Sequence, residues 1–167
     1  MRKLNEPEDD IRNKIKELVK KLYHVKFENK EFKPGIDKLN YAGRVFDEHE
    51  MIEAVDNLLD FTLTYGDKGV KFEKEFAAAL GSKFSVLTNS GSSANLIAVT
   101  CLKSKRMPSP LKNGDKVITP ATTFPTTLAP IIQNNLKPVF VDIDIETCNI
   151  SEEALKEAVS SDIKAMV

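Results

Sequence analysis

From Lys83 to Val167, short runs of β-branched and apolar residues alternate with longer runs of helical period, and this alternation restricts the fold more than any other feature. Strands are expected at 84–88, 116–119 and 138–142, with another beginning at Lys164. Helices are expected at 92–103, 125–134 and 152–160. A chain that follows each strand with a helix returns to its sheet by right-handed crossovers, which makes the strands largely parallel beneath covering helices. The fold class is therefore α/β. Between the first of these helices and the strand at 116–119, "KSKRMPSPLKNGD" carries two prolines and a Gly-Asp turn and reads as a surface loop. The last residues, "DIKAMV", stop inside an apparent strand, so the expectation is a truncated chain whose sheet continues past Val167.

Upstream of Lys83 the pattern is helical. In "PEDDIRNKIKELVKKLY", residues 7–23, Ile11, Ile15, Leu18, Val19 and Tyr23 share one face. Acidic residues open that helix and lysines close it, in the sense that favours its dipole. The following "HVKFENKEFKPGIDKLNYAGR" has no clean period and contains Pro34-Gly35, so it reads as an extended arm. This divides the chain into a helix and arm over 1–40 and the start of a larger domain over 41–167. In "FDEHEMIEAVDNLLDFTLT", Asp47 and Glu50 have the spacing of a capping box ahead of the stripe Met51, Ile52, Val55, Leu58 and Leu59. "YGDKG" at 65–69 interrupts the helix. "VKFEKEFAAALG" then resumes it, with Phe72, Phe76, Ala79 and Leu80 at helical spacing and Gly81 at the C-cap.

Composition removes several classes of function. A chain of 167 residues that is 41% hydrophobic and 29% charged is that of an ordinary soluble domain. A formal net charge of −1 with no basic stripe argues against nucleic acid or an anionic membrane as partner. "MRKLNEPEDD" lacks the apolar core of a signal peptide, and no window suits a transmembrane helix, so the chain reads as cytoplasmic. Cys101, Cys148, His24 and His49 are isolated and match no metal-ligand spacing, so no metal site is expected.

Three stretches have the composition of a site. In "VLTNSGSSANLIAV", Val86–Val99, small polar residues lie between a strand-like and a helix-like run. A strand, a Gly/Ser turn and a helix together present unpaired N–H groups and a positive helix end to an anion. Gly91 allows close backbone approach or a positive φ, and Ser92 and Ser93 add hydroxyl donors. A simple N-cap by Asn89 or Ser90 explains the same spacing equally well. The chain lacks G-x-G-x-x-G and the P-loop pattern, which excludes the dinucleotide and P-loop readings. Phe124 follows the strand at 116–119 and falls on the same sheet rim, where its ring is placed either to stack on a flat ligand or to pin a helix to the sheet. Asp142 and Asp144 end "PVFVDID" and read as a solvated strand tip.

The segments "YAGRVFDEHEM", "FEKEFAAALGSKFSVLTNSGSSANLIAV" and "GDKVITPATTFPTTLAPIIQNNLKPVFVDIDIETCNI", in that order, resemble the DegT/DnrJ/EryC1/StrS family of sugar aminotransferases and dehydrases, which are fold-type-I pyridoxal-phosphate enzymes. "TNSGSSANL", "FPTT" and "PIIQN" with "PVFVDID" are most similar to its CDP-4-keto-6-deoxyglucose 3-dehydrase branch. The resemblance implies that Gly91, Ser92 and Ser93 hold the phosphate of pyridoxal or pyridoxamine phosphate and that Phe124 stacks on its ring. It puts Tyr65 and Gly66 at the lining of the active site near a dimer interface. The aspartate that meets the pyridine nitrogen, the residue at the cofactor-tethering position (lysine in aminotransferases, histidine in the dehydrase branch) and the cysteines of a 2Fe–2S cluster are all implied to lie beyond Val167. Asp142, Cys101 and Cys148 therefore take none of these roles.

The implied activity is removal of the C3 hydroxyl from a nucleotide-linked 4-keto-6-deoxyhexose in lipopolysaccharide sugar synthesis. A homodimer and an electron-donating reductase are the implied partners. The rival activity within the family is amino transfer from a donor such as glutamate. The rival outside it is a fragment without catalytic activity.

Overall fold

A computed structural model describes residues 6–27, 31–39, 42, 43 and 45–167. Residues 1–5, Tyr41 and Arg44, on which the absence of a leader and part of the "YAGRVFDEHEM" motif were read, lie outside the described residues, as do 28–30 of the arm. Two compact units divide the chain, residues 1–74 and 75–167.

In the first unit, helix α1 spans Glu8–Phe27 and helix α2 spans Glu48–Leu59. The Asp47 side chain accepts from the His49 N–H, and the Glu50 carboxylate accepts from the Asp47 N–H at 2.8 Å, so the expected capping box is formed. Arg12 on α1 reaches Asp56 of α2 at 3.0 Å and Asp60, the C-cap of α2, at 2.6 Å, and Lys16 also meets Asp56 at 3.0 Å. The Arg12 and Lys16 cations hold the Asp56 carboxyl below its ordinary range. α1 runs four residues past the expected end at Tyr23. Tertiary packing explains the extension, because Tyr23, Phe27 and Phe46 form a ring cluster with centroids 5.3–6.1 Å apart.

Helix α3 spans Asp67–Ala79 and so begins inside "YGDKG", three residues earlier than its apolar pattern. Gly66 starts it by accepting from the Gly69 and Val70 N–H groups. Its C-terminus closes as expected on Gly81, whose φ is +64°. The Ser82 N–H reaches the Ala77 carbonyl and the Gly81 N–H reaches that of Ala78, which together make a Schellman motif.

The second unit is an α/β layer. In chain order it contains α4 (Gly91–Leu102), β1 (Lys116–Pro120), α5 (Pro125–Gln133), β2 (Lys137–Val141), α6 (Glu152–Ala158) and β3 (Ile163–Met166). The sheet order is β2-β1-β3 and every pairing is parallel. β1 is central, with Ile118 opposite Val139 on one side and Met166 on the other, which is why Val117, Ile118 and Thr119 are all fully buried. Val99 of α4, Leu111, Val117, Ile131 of α5 and Leu136 form the core.

The expected strand at 84–88 is not formed, since this stretch joins no sheet ladder among the described residues. A strand exists through pairing and not through its own composition. Phe84 and Val86 accordingly stand 77% and 75% exposed.

Two stability predictions arise from the sheet. The Thr119 hydroxyl is buried without a hydrogen-bond partner among the described residues. Thr119→Val removes that unmet group at nearly constant volume and is expected to stabilise the protein by about 1 kcal/mol in urea denaturation. Lys116, at the start of β1, pairs with Asp162 in the turn before β3. Lys116, with help from Ser160, pulls the Asp162 carboxyl from 3.8 down to about 2. A depressed carboxylate contributes in full above its unfolded value and loses that contribution as pH falls through its folded value. The stability difference between wild type and Asp162→Asn is therefore expected to be constant above pH 4 or so and to shrink from there towards about pH 2. Both side chains are half exposed, so the difference is small and is reduced further by salt.

Candidate functional site

Two helices of the second unit start side by side, and their first turns carry the candidate residues Gly91, Ser92, Ser93 and Phe124. At α4, Ser90 is the N-cap in extended conformation, and its hydroxyl oxygen accepts from the Ser93 N–H at 3.2 Å. The Ser90 and Ser93 hydroxyls also lie 3.2 Å apart, while Thr88 donates to the Ser90 carbonyl at 2.9 Å. This satisfies one of the helix's orphan donors. The Gly91 and Ser92 N–H groups come before any intrahelical acceptor, at the positive end of the helix dipole. The capping reading thus holds at Ser90, while the anion reading concerns the two N–H groups that follow it.

Gly91 resolves an alternative that its identity alone leaves open. Its φ is not positive, and a Cβ built on it would meet nothing within 4 Å. Neither backbone strain nor crowding inside the protein requires glycine at this position. What remains is open space beside two N–H groups that have no partner among the described residues, which is where a close-lying anion needs room.

At α5, Phe124 is the N-cap and is followed by Pro125 at the first helical position, where a missing N–H costs nothing. The Phe124 ring is 68% exposed, so it is not the core residue that one sequence reading allowed. The two helix starts are tied directly, because Asn95 Nδ2, one turn into α4, donates to the Thr126 carbonyl in the first turn of α5 at 3.4 Å. Gly91, Ser92, Ser93 and Phe124 thus stand at neighbouring helix N-termini of one unit. Nothing in the motif reading singled out Asn95. The signal was available in the proline of "PTTLAPIIQ", which leaves a carbonyl of α5 in need of a donor.

Tyr65 and Gly66 lie in the first unit, before α3. The Tyr65 hydroxyl donates to Glu73 at 2.7 Å, and this carboxylate together with partial burial raises the phenol above its ordinary value. A Cβ on Gly69 would lie 2.8 Å from the Tyr65 ring, so that glycine is what allows the ring to pack against its own helix.

Asp144 is a turn residue. Its carboxylate accepts from the Thr147 N–H at 2.8 Å, which lowers its pKa. Asp47, Glu48 and His49 bring three potential ligand atoms within 4.8 Å of one another, but Asp47 is engaged in capping α2 and in a 2.8 Å contact to the His49 ring. Cys101 and Cys148 are free exposed thiols, one in α4 and one in the turn after β2. No helix of the described residues is long and apolar enough to cross a membrane.

Residues 46–167 match the DegT/DnrJ/EryC1/StrS aminotransferase family. The chain is 38% identical to a dTDP-4-dehydro-2,6-dideoxy-D-glucose 3-dehydratase of Saccharopolyspora spinosa, over 87% of this chain and 32% of that protein. It is 39% identical to the lipopolysaccharide biosynthesis protein RfbH of Salmonella typhimurium, over 95% of this chain and 37% of that one. Among solved structures it resembles the Escherichia coli GDP-4-keto-6-deoxy-D-mannose-3-dehydratase with bound hydrated PLP. That likeness has a TM-score of 0.66 at 41% identity and covers 75% of this chain and 32% of the other. The chain therefore spans about a third of the length of the relatives it matches.

Proposed function

Because this chain belongs to the DegT/DnrJ/EryC1/StrS aminotransferase family, we propose that it is the phosphate-gripping part of a pyridoxal- or pyridoxamine-phosphate enzyme that removes the C3 hydroxyl of a nucleotide-linked 4-keto-6-deoxyhexose. The observation that carries this reading is the pair of adjoining helix starts, one with unpaired N–H groups and open space at Gly91 and the other with an exposed ring at Phe124. Such a pair suits a flat ring joined to a phosphate. The relatives named above support the reaction class, and their dTDP- and GDP-linked substrates leave the nucleotide open.

The residues at the turn fit the cofactor. The Gly91 and Ser92 N–H groups and the Ser92 hydroxyl would donate to its phosphate, where charge-assisted hydrogen bonds are roughly twice as strong as neutral ones. Ser93 would add its hydroxyl while its N–H stays with Ser90. Phe124 would cover one face of the ring and keep water from it. Bound there, the group would supply an amine for the sugar ketone and an electron-accepting ring. Tyr65 and Gly66 enter the proposal as lining residues near a subunit interface. The reductase partner, the 2Fe–2S cluster and the homodimer also belong to the proposal, the cluster with ligands outside these residues.

No residue present is assigned to proton transfer at the reacting carbons, so the 167-residue polypeptide alone is expected to give no turnover. Product formation by that polypeptide would contradict this. The activity itself is tested on the whole gene product, supplied with pyridoxamine phosphate, a two-electron reductant and the keto sugar. Loss of the C3 hydroxyl with the C4 ketone retained is the expected outcome. An amine at C4, formed only when glutamate is added and with the C3 hydroxyl intact, would reassign the protein to the aminotransferases of the family.

A further inference from the structure

We infer that Asn95 is a positioning residue, which sets the gap between the phosphate-binding turn and Phe124 by donating its side-chain amide to the Thr126 carbonyl that Pro130 leaves without a helical donor. The inference rests on the function proposed above and adds a residue to that site.

In an α-helix the N–H of residue i+4 serves the carbonyl of residue i. For Thr126 in "PTTLAPIIQ" that donor would come from residue 130, which is proline and has no N–H. Thr126 is half-buried in the first turn of α5, where an unmet acceptor is costly. Asn95 Nδ2 lies 3.4 Å from it, and no other side chain of the described residues donates to it. Asn95 is four residues beyond Gly91 and hence on the same side of α4, while Thr126 is two residues beyond Phe124. One hydrogen bond therefore links the two ligand-facing turns.

The other ends of the helices are joined separately. Lys103, at the C-cap of α4, donates to the carbonyl of Asn134, at the C-cap of α5, and to Asn113 Oδ1 at 2.8 Å. Asn134 in turn donates its side-chain amide to the Pro130 carbonyl at 2.9 Å. Lys103 fixes the distal ends, and Asn95 fixes the ends that face the ligand. A molecule whose phosphate and ring are covalently joined needs both turns at one separation. A free phosphate needs only the α4 turn.

The test measures the affinity of the whole gene product for pyridoxamine phosphate and for inorganic phosphate as its competitor, together with thermal stability. Asn95→Ala and Asn95→Asp, which cannot donate, are expected to weaken pyridoxamine phosphate about tenfold and to leave inorganic phosphate unchanged. Pro130→Ala gives the Thr126 carbonyl its own helical donor. In that background Asn95→Ala is expected to cost no thermal stability yet still to weaken pyridoxamine phosphate, which a purely structural role would not do. Equal weakening of both ligands by Asn95→Ala, no weakening of either, or an effect on pyridoxamine phosphate that disappears in the Pro130→Ala background would each overturn the inference. Wild-type protein that binds neither ligand would overturn the functional reading beneath it.

Discussion

Replacing Gly91 with valine will leave α4 folded and weaken pyridoxamine phosphate by about a hundredfold, the loss expected from two charge-assisted hydrogen bonds of about 1.5 kcal/mol each. Folding is spared because Gly91 has no positive φ and a Cβ there meets nothing within 4 Å. Binding is not spared, since the branched side chain fills the space from which an anion reaches the Gly91 and Ser92 N–H groups. The contrast separates this turn from an ordinary N-cap. A cap depends on Ser90 and Ser93, which the substitution leaves in place. Equilibrium titration of the variant, with circular dichroism as the control for folding, checks both halves of the prediction.

Ile131→Ala is expected to be the most damaging single change to the fold of the second unit. Ile131 is fully buried on α5 against Val99, Leu111, Val117 and Leu136. Truncating it to alanine leaves a cavity and should cost about 3–4 kcal/mol, read by chemical denaturation. Because the same helix begins with Phe124, the substitution should also loosen the ring-facing end of the site. Weakened cofactor binding accompanied by lost stability would mark this variant, whereas Gly91→Val loses binding alone.

Much of the architecture was legible in the sequence, because much of it is local. Asp47 and Glu50 three residues apart, Gly81 after an apolar helical run, and the alternation of strand and helix after Lys116 each encode their structure within a few residues. The failures are non-local. Residues 84–88 have the composition of a strand but pair with no strand among the described residues. α1 continues to Phe27 because Phe46, nineteen positions on, completes a ring cluster with Tyr23 and Phe27. The early start of α3 at Asp67 is instead a local event, since the Gly66 carbonyl accepts from the Gly69 and Val70 N–H groups and no hydrophobic period reports such a bond.

The candidate site divides in the same way. Gly91, Ser92, Ser93 and Phe124 stand out by residue type next to helix starts, and a strand-turn-helix pattern is enough to find them. Asn95 did not stand out, because its significance depends on a proline in another helix. Of the two uses that Gly91 permits, only the structure eliminates the positive φ. The conformational reason for glycine is gone, and open space around its α-carbon remains.

The most direct test of the central claim is a crystal structure of the whole gene product soaked with pyridoxamine phosphate. The account predicts the phosphate within hydrogen-bonding distance of the Gly91 and Ser92 N–H groups, with the Phe124 ring stacked on the pyridine. A cofactor bound elsewhere, or bound with these N–H groups still facing solvent, would contradict it.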